Sequence, residues 1–495
     1  MSFAFVPLYV RYLGIEAFGL IGIFTLLQAW IATCDMGLRV TLSREMARFT
    51  GGAMDATAIR DVLRMIEILV LSLGVAAALA VWATSGWLAV QWVKPEHLSP
   101  DTVATAFATM GIVVALRFAE GMYIGCLTGL QRQVVENVVT IASSTARSFG
   151  AVLVIAFVSP TIEAFFLWQG LVSLASIGGL AAVVYRILPP GARAARPAWM
   201  TLQSVWRFAA GAAAITFVSL LTIQADKILL SRTVSLEKFG YYAMATAIAA
   251  AIGTLAGPVT AAFGPRFTQL VTLRDEAAVR SAYHNAAQLV TVIAATVAAM
   301  FVTLGDQIML LWTGDPALTR EVVPLLRILA IAAFLQSMMY TPYFMQLAYG
   351  WTSLAVGINI VALCLITPAL LWAIPYYGAF GAAWVLVCLA ILYFSAGIML
   401  MHRRILRGEM GRWYLADVAI PALAAVATAF ACALVFPRDV GSIASGAALA
   451  GSTVLVLAAA TFSAGDIRNK VFGLVRSASE SLLPRALMKI WGGAF

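Results

Sequence analysis

Charge is what this chain has least of: only 11% of its 495 residues are Asp, Glu, Lys or Arg. A water-soluble domain of comparable size carries roughly a quarter. So little charge excludes a large soluble catalytic or nucleic-acid-binding module. Cysteine is also scarce. Cys34, Cys126, Cys364, Cys388 and Cys432 lie in separate apolar runs, with neither a disulfide framework nor metal-ligand spacing. Only three histidines occur, His97, His284 and His402, and each is expected in a loop. A metal centre or a histidine-based triad is therefore not expected, and no cofactor is. No leader-type cleavage pattern interrupts the first runs, and no charged segment precedes them. Alternating ten-residue strands, the mark of a transmembrane barrel, are missing too.

What fills the space is apolar sequence, 62% of the chain. Runs of about 20 apolar residues match a hydrocarbon core of about 30 Å when helical. In lipid each backbone N–H and C=O must be paired within the segment, so these runs become helices. Spans are expected at 17–38, 65–92, 104–128, 137–158, 162–185, 208–230, 240–263, 286–311, 322–346, 351–374, 379–401, 417–436 and 442–462. Met1–Val10 is apolar over only about 15 Å of helix, so it is either part of a longer first helix or a half-span. Counting it, the expectation is an all-α membrane protein of about 14 transmembrane helices, the first truncated.

The basic residues set an orientation. Loops on one side (39–64, 129–136, 186–207, 264–285, 347–350, 402–416, 463–495) hold 22 Lys and Arg, and those on the other side hold 6. The first set is expected to be cytoplasmic, C-terminus included. Two cytoplasmic stretches, 197–207 and 466–491, interleave apolar and basic residues as membrane-surface helices do. The net charge of +9 thus belongs to topology and lipid contact, with no nucleic-acid partner expected.

Ile15-Glu16-Ala17-Phe18-Gly19-Leu20 recurs as Leu236-Glu237-Lys238-Phe239-Gly240-Tyr241, 221 residues later. Each copy opens a helix after a short loop, and a weaker echo is Gly378-Ala379-Phe380-Gly381. The arrangement suggests two duplicated six-helix halves, 1–185 and 208–401. A linker at 186–207 joins them, and two further helices (402–462) and a basic tail (463–495) follow. Repeats in transporters place the cargo site where the halves meet.

Pro7-Leu8-Tyr9-Val10-Arg11-Tyr12-Leu13-Gly14-Ile15-Glu16-Ala17-Phe18-Gly19 resembles the opening of polysaccharide-biosynthesis membrane proteins, the O-antigen and exopolysaccharide flippases. Asp35-Met36-Gly37-Leu38 with Ser43-Arg44-Glu45, and Gln224-Ala225-Asp226-Lys227-Ile228-Leu229-Leu230-Ser231, are similar again. The resemblance is to the multidrug/oligosaccharidyl-lipid/polysaccharide exporter superfamily. It implies two six-helix lobes in a V, two extra helices, and transfer of an undecaprenyl-diphosphate-linked oligosaccharide across a bacterial inner membrane. Membrane lipids and glycan polymerase or ligase machinery are the implied partners. A cation-coupled small-molecule antiporter and a peptidoglycan-precursor flippase of the same superfamily are the alternatives. A membrane glycan polymerase or ligase fits less well, because the outward loops are about a dozen residues or fewer and no acid/base pair converges on one. A scaffold role would not account for charges inside the spans.

Charges within spans are costly and mark function. Arg117 and Glu120 fall at the middle of 104–128 and Arg147 at the middle of 137–158. Arg117 and Glu120, three apart, have the spacing of a pair. The trio sums to +1 and suits a diphosphate, so Arg147 and Arg117 are the expected cargo residues. Arg39 and Arg44, with Arg48, form a cationic cluster where a cytoplasmic diphosphate would first arrive. Glu120 and Asp226 are candidates for cation coupling. Adjacent on one helix, Asp226 and Lys227 point about 100° apart and are expected to find partners on other helices. Arg327 is expected to snorkel to an interface, and Pro258 and Pro342 to interrupt helices.

Overall fold

The computed structural model describes residues 5–191, 220–436 and 443–470, with residues 31–37, 40 and 352 described by backbone alone. The expected surface helix at 197–207, the start of the span at 208–230 and the tail beyond 470 lie outside the described residues. Every regular element among them is helical. In chain order these are α1 Val6–Leu13, α2 Ile15–Thr50, α3 Ala56–Trp92, α4 Pro100–Gly129, α5 Gln133–Phe157 and α6 Ile162–Ile187. Then come α7 (220–233), α8 Leu236–Leu273, α9 Glu276–Thr303, α10 Gly305–Thr313, α11 Pro316–Ser337 and α12 Tyr340–Ala348. The last are α13 Thr352–Leu392, α14 Ile398–Arg404, α15 Met410–Val435 and α16 Ile443–Ser463, followed by a short helical segment at 465–470.

Ten helices among the described residues are long and apolar enough to cross a membrane, so the chain is a multi-pass membrane protein. The ten include one 52-residue stretch, Ser353–Arg404, which holds two expected spans. They meet at Gly378, where φ +55° and ψ −134° break the helix in a conformation that suits glycine. Helices start where the sequence supplies caps. The side chains of Asp55, Ser99, Thr161, Asp275 and Asp315 each accept a backbone N–H of the first turn, and Pro100 and Pro316 follow two of them.

Many helices overrun the apolar runs that announce them. Helix α2 continues to Thr50, so Arg39, Arg44 and Arg48 are helical rather than on a loop. The span expected at 322–346 is two pieces joined at Met338–Met339, and Pro342 opens the second piece instead of kinking one helix. Pro258 does lie inside a helix, α8, together with Pro265. The expectation that all three histidines lie in loops is corrected: His284 is in α9 and His402 in α14, both buried.

The chain forms two compact units. Unit 1 is Met1–Met244 with Asn359–Val385, and unit 2 is Ala245–Ile358 with Leu386–Phe495. In unit 1, α4 is the central helix: it packs on α2, α3 and α6, and half of its most apolar window is buried, against 22% for α5. Glu120 on α4 is buried and so faces protein rather than lipid. In unit 2 the corresponding helix is α9, with two thirds of its apolar window buried.

The two copies of the repeated motif touch one another. A Cβ on Gly19 would lie 2.7 Å from the Leu236 carbonyl oxygen, and one on Gly240 would overlap the Ile15 carbonyl oxygen. Each glycine thus admits the first residue of the other copy, a close backbone approach that any side chain would prevent. The loop after α3 is strapped to both copies. Glu16 accepts the backbone N–H groups of Glu96 (2.5 Å), His97 (3.0 Å) and Leu98 (2.8 Å), and Leu236 N–H donates to the Lys94 carbonyl (3.0 Å).

Candidate functional site

Helices α1, α2, α4, α5 and α6 of unit 1 enclose a cavity of about 590 Å³. Phe5, Tyr9 and Phe24 form its aromatic wall, and Gln28, Arg117, Ser144, Thr145, Arg147 and Gln169 form its polar wall. Both arginines that the sequence marks as cargo residues therefore face the same space.

Their surroundings differ. Arg147 Nη2 is 2.5 Å from Glu120 Oε2, and the other Glu120 oxygen accepts the Ser176 hydroxyl at 2.6 Å. The pair expected within α4, Arg117 with Glu120, is not formed; α5 supplies the guanidinium instead. Arg117 donates from Nη1 to Gln28 Oε1 and from Nη2 to Gln169 Oε1, both at 2.9 Å, with its guanidinium 5.4 Å from the Phe24 ring centre. Gln169 Nε2 in turn donates weakly to the Arg147 carbonyl at 3.4 Å.

Three buried side-chain atoms of the cavity wall have no hydrogen-bond partner among the described residues: Gln28 Nε2, Arg117 Nε and Arg147 Nε. All three are N–H donors. Because a guanidinium only donates, Arg117 fixes Gln28 with its oxygen inward and leaves the amide N–H free. The wall carries two cations, one carboxylate behind it and a surplus of donors, so it fits a ligand made of acceptors and negative charge. Gln28 and Gln169 were invisible to the sequence reading, since an uncharged amide within an apolar run attracts no notice.

The other candidates stand apart from this cavity. Arg39 lies 3.6 Å from Glu136, Arg48 is 2.9 Å from Glu45, and Arg44 is exposed. Two of these three cations thus have a carboxylate partner. Asp226, on α7, is fully buried and accepts the Tyr242 hydroxyl at 2.5 Å. Asp226 thus has the partner on another helix that was expected of it, but the expectation that it does not pair with Lys227 is corrected: Lys227 Nζ lies 3.6 Å from the same carboxylate oxygen. The long lysine stem folds back although the two side chains leave the helix in different directions. Asp226 Oδ1 has no hydrogen-bond partner among the described residues.

Unit 2 holds a polar cluster that the sequence reading missed. His284 is fully buried, its Nδ1 hydrogen-bonded to Asp417 and its Nε2 3.1 Å from Glu409. Gln288 donates to Asp417 at 2.9 Å and accepts the Asp466 N–H at 3.0 Å. Arg327, expected to snorkel, is bound to Asp306 at 2.5 Å and to the Val302 carbonyl at 3.0 Å. Glu96 and His97, on the loop after α3, and Glu237, in the first turn of α8, bring ligand-type atoms within 4.8 Å of one another, with no further feature that points to an ion.

Comparisons with solved structures place the fold. The lipid II flippase MurJ in an inward closed conformation superposes with a TM-score of 0.69 at 9% identity, over 93% of this chain and 96% of that one. A multidrug resistance MATE family transporter of the MOP superfamily, inward-facing, gives 0.66 at 15% identity, over 82% and 97%. The MATE multidrug transporter DinF-BH gives 0.54 at 14% identity, over 80% and 90%. A search of curated proteins finds no significant match. At such identities the likeness concerns the fold, which is that of all-helical transporters and flippases. The sequence itself goes further: the profile of the polysaccharide biosynthesis protein family matches residues 1–271, more than half of the chain, and the protein belongs to that family.

Proposed function

We propose that the protein is a flippase that carries a lipid-linked oligosaccharide diphosphate across the bacterial inner membrane for surface-polysaccharide synthesis. The observation that supports it best is the set of three unpartnered N–H donors, on Gln28, Arg117 and Arg147, around one cavity that also holds two guanidinium groups. A diphosphate offers only acceptors and negative charge, and guanidinium groups bind its oxygens in pairs. The Phe5, Tyr9 and Phe24 wall gives the same cavity an apolar side suited to the first part of a prenyl chain or to a sugar face. Glycan and lipid would lie beyond, in water and bilayer respectively. The family assignment supports the glycan; O-antigen or exopolysaccharide is the finer reading.

In this account Arg117 and Arg147 are the cargo residues, and Arg39 and Arg44 lie toward the cytoplasmic approach. Asp226 is the candidate for cation coupling, because its buried carboxylate keeps one oxygen free. A cationic drug, the cargo of a multidrug antiporter, would meet unpaired donors and a net positive wall, which disfavours that alternative. A peptidoglycan-precursor lipid presents the same kind of anion. Complementation separates the two: the gene is expressed in a strain lacking its surface-polysaccharide flippase and in one depleted of its lipid II flippase. Rescue of the first strain alone supports the proposal, rescue of the second alone replaces it with the precursor reading, and rescue of neither removes both.

A further inference from the structure

The two cavity arginines differ in what stands behind them. Glu120 does not line the cavity; it contacts Arg147 Nη2 and is held by Ser176, which itself accepts the Ser143 hydroxyl at 3.0 Å. The hydroxyl relay fixes the carboxylate, so its charge acts on the cavity through Arg147. A guanidinium has five N–H donors, and Glu120 engages only the Nη2 group, leaving Nε without a partner. Because Arg147 lines the cavity and Glu120 does not, Arg147 can meet a ligand while Glu120 stays in place. Arg117 has no carboxylate partner among the described residues, only the amide oxygens of Gln28 and Gln169.

A site for conduction or transport has to attract its cargo and also release it. In a desolvated wall the attraction between charges is strong. Two uncompensated guanidinium groups would hold a diphosphate too long, and they would also repel each other. We propose that Glu120 is an attenuator of the anion site: it offsets one of two cations, weakening the hold on the diphosphate so that the cargo leaves. The inference rests on the reading of this cavity as an anion site. Glu120 touches no cargo and is a positioning residue, acting through Arg147. A purely structural Glu120, needed only to place Arg147, predicts the opposite change in affinity when it is neutralised.

The test uses the full chain in detergent and in proteoliposomes with farnesyl diphosphate as probe. Binding is followed by calorimetry and transfer between leaflets by a fluorescent analogue. Glu120→Gln keeps the shape and removes the charge. It is expected to bind at least tenfold tighter than wild type, about 1.4 kcal/mol, and to transfer more slowly at saturating probe. Glu120→Asp, whose shorter side chain draws the charge away from Arg147, is expected to fall between them in both readouts. Affinity equal to or weaker than wild type in a folded Glu120→Gln protein would falsify the inference; if that variant does not fold, the direction of the Glu120→Asp shift decides. Arg117→Ala is the control. Binding by wild type that is lost in Arg117→Ala leaves the anion site standing whatever Glu120 does. Absence of binding by wild type and every variant overturns the anion site, and the attenuator with it.

Discussion

Arg117 Nη1 lies 2.9 Å from the side-chain oxygen of Gln28, so within the polar wall of the cavity a residue of α4 is tied to a residue of α2. The bond takes up the Gln28 oxygen, leaves the amide N–H without a hydrogen-bond partner among the described residues, and gives Arg117 no countercharge. Replacing Gln28 by Glu keeps the shape but adds a carboxylate against the guanidinium, cancelling the cation that distinguishes this wall. Gln28→Glu is expected to lower transfer of a lipid-linked diphosphate at least tenfold, to the level of Arg117→Ala, corresponding to about 1.4 kcal/mol. Flipping in proteoliposomes checks it, and transfer near the wild-type rate would remove Arg117 from the cargo site.

Arg147 and Glu120 are coupled in stability as well. Removing one partner of a buried pair leaves an uncompensated charge and costs about 3–5 kcal/mol. Arg147→Ala is therefore expected to melt well below Arg117→Ala, whose lost partners are only amides. The double variant Arg147→Ala/Glu120→Ala is expected to recover part of that loss. Thermal unfolding in detergent measures the three, and a double variant no more stable than Arg147→Ala would show that the pair is not the cause.

The cluster in unit 2 makes a second stability prediction. His284 and Asp417 are both fully buried and hydrogen-bonded to each other, and Gln288, one turn further along α9, also donates to Asp417. His284→Ala leaves Asp417 with the amide alone. The expected loss is about 3 kcal/mol or more, with His284→Gln losing less because an amide N–H can still reach a carboxylate. Unfolding curves of the two variants test the order; equal loss would assign the effect to volume instead of hydrogen bonding.

Asp226 carries the coupling prediction. Asp226→Asn keeps the side-chain shape beside Tyr242 but removes the charge, so transfer driven by an ion gradient is expected to fall to the rate seen without a gradient. Tyr242→Phe is expected to alter the gradient dependence without abolishing it, because the carboxylate stays. Initial rates in proteoliposomes with and without an imposed gradient measure this; an unchanged gradient response in Asp226→Asn would sink the assignment.

What could be read in the sequence follows what membranes penalise. The cost of charge in hydrocarbon singles out Arg117, Glu120 and Arg147 among 495 residues, and the structure places the two arginines in one cavity wall with Glu120 paired behind Arg147. The pairing was not legible, since whether Glu120 meets Arg117 or Arg147 depends on how α4 and α5 are rotated. Gln28 and Gln169 stayed hidden because an amide costs too little in an apolar run to stand out. His284 was lost at a boundary. The apolar run begins near residue 286, but α9 starts at Glu276, because a helix continues past the lipid wherever protein covers it. Hydropathy reports the membrane, not the ends of helices.

The reciprocal fit of Gly19 and Gly240 has a consequence for how the two motif copies can vary. Each glycine is the space into which the opening carbonyl of the other copy fits. Enlarging either one displaces the opposite helix, and no change within a single copy restores the fit. Each segment is therefore part of the other's environment. The contact ties glycine at position 19 to glycine at position 240.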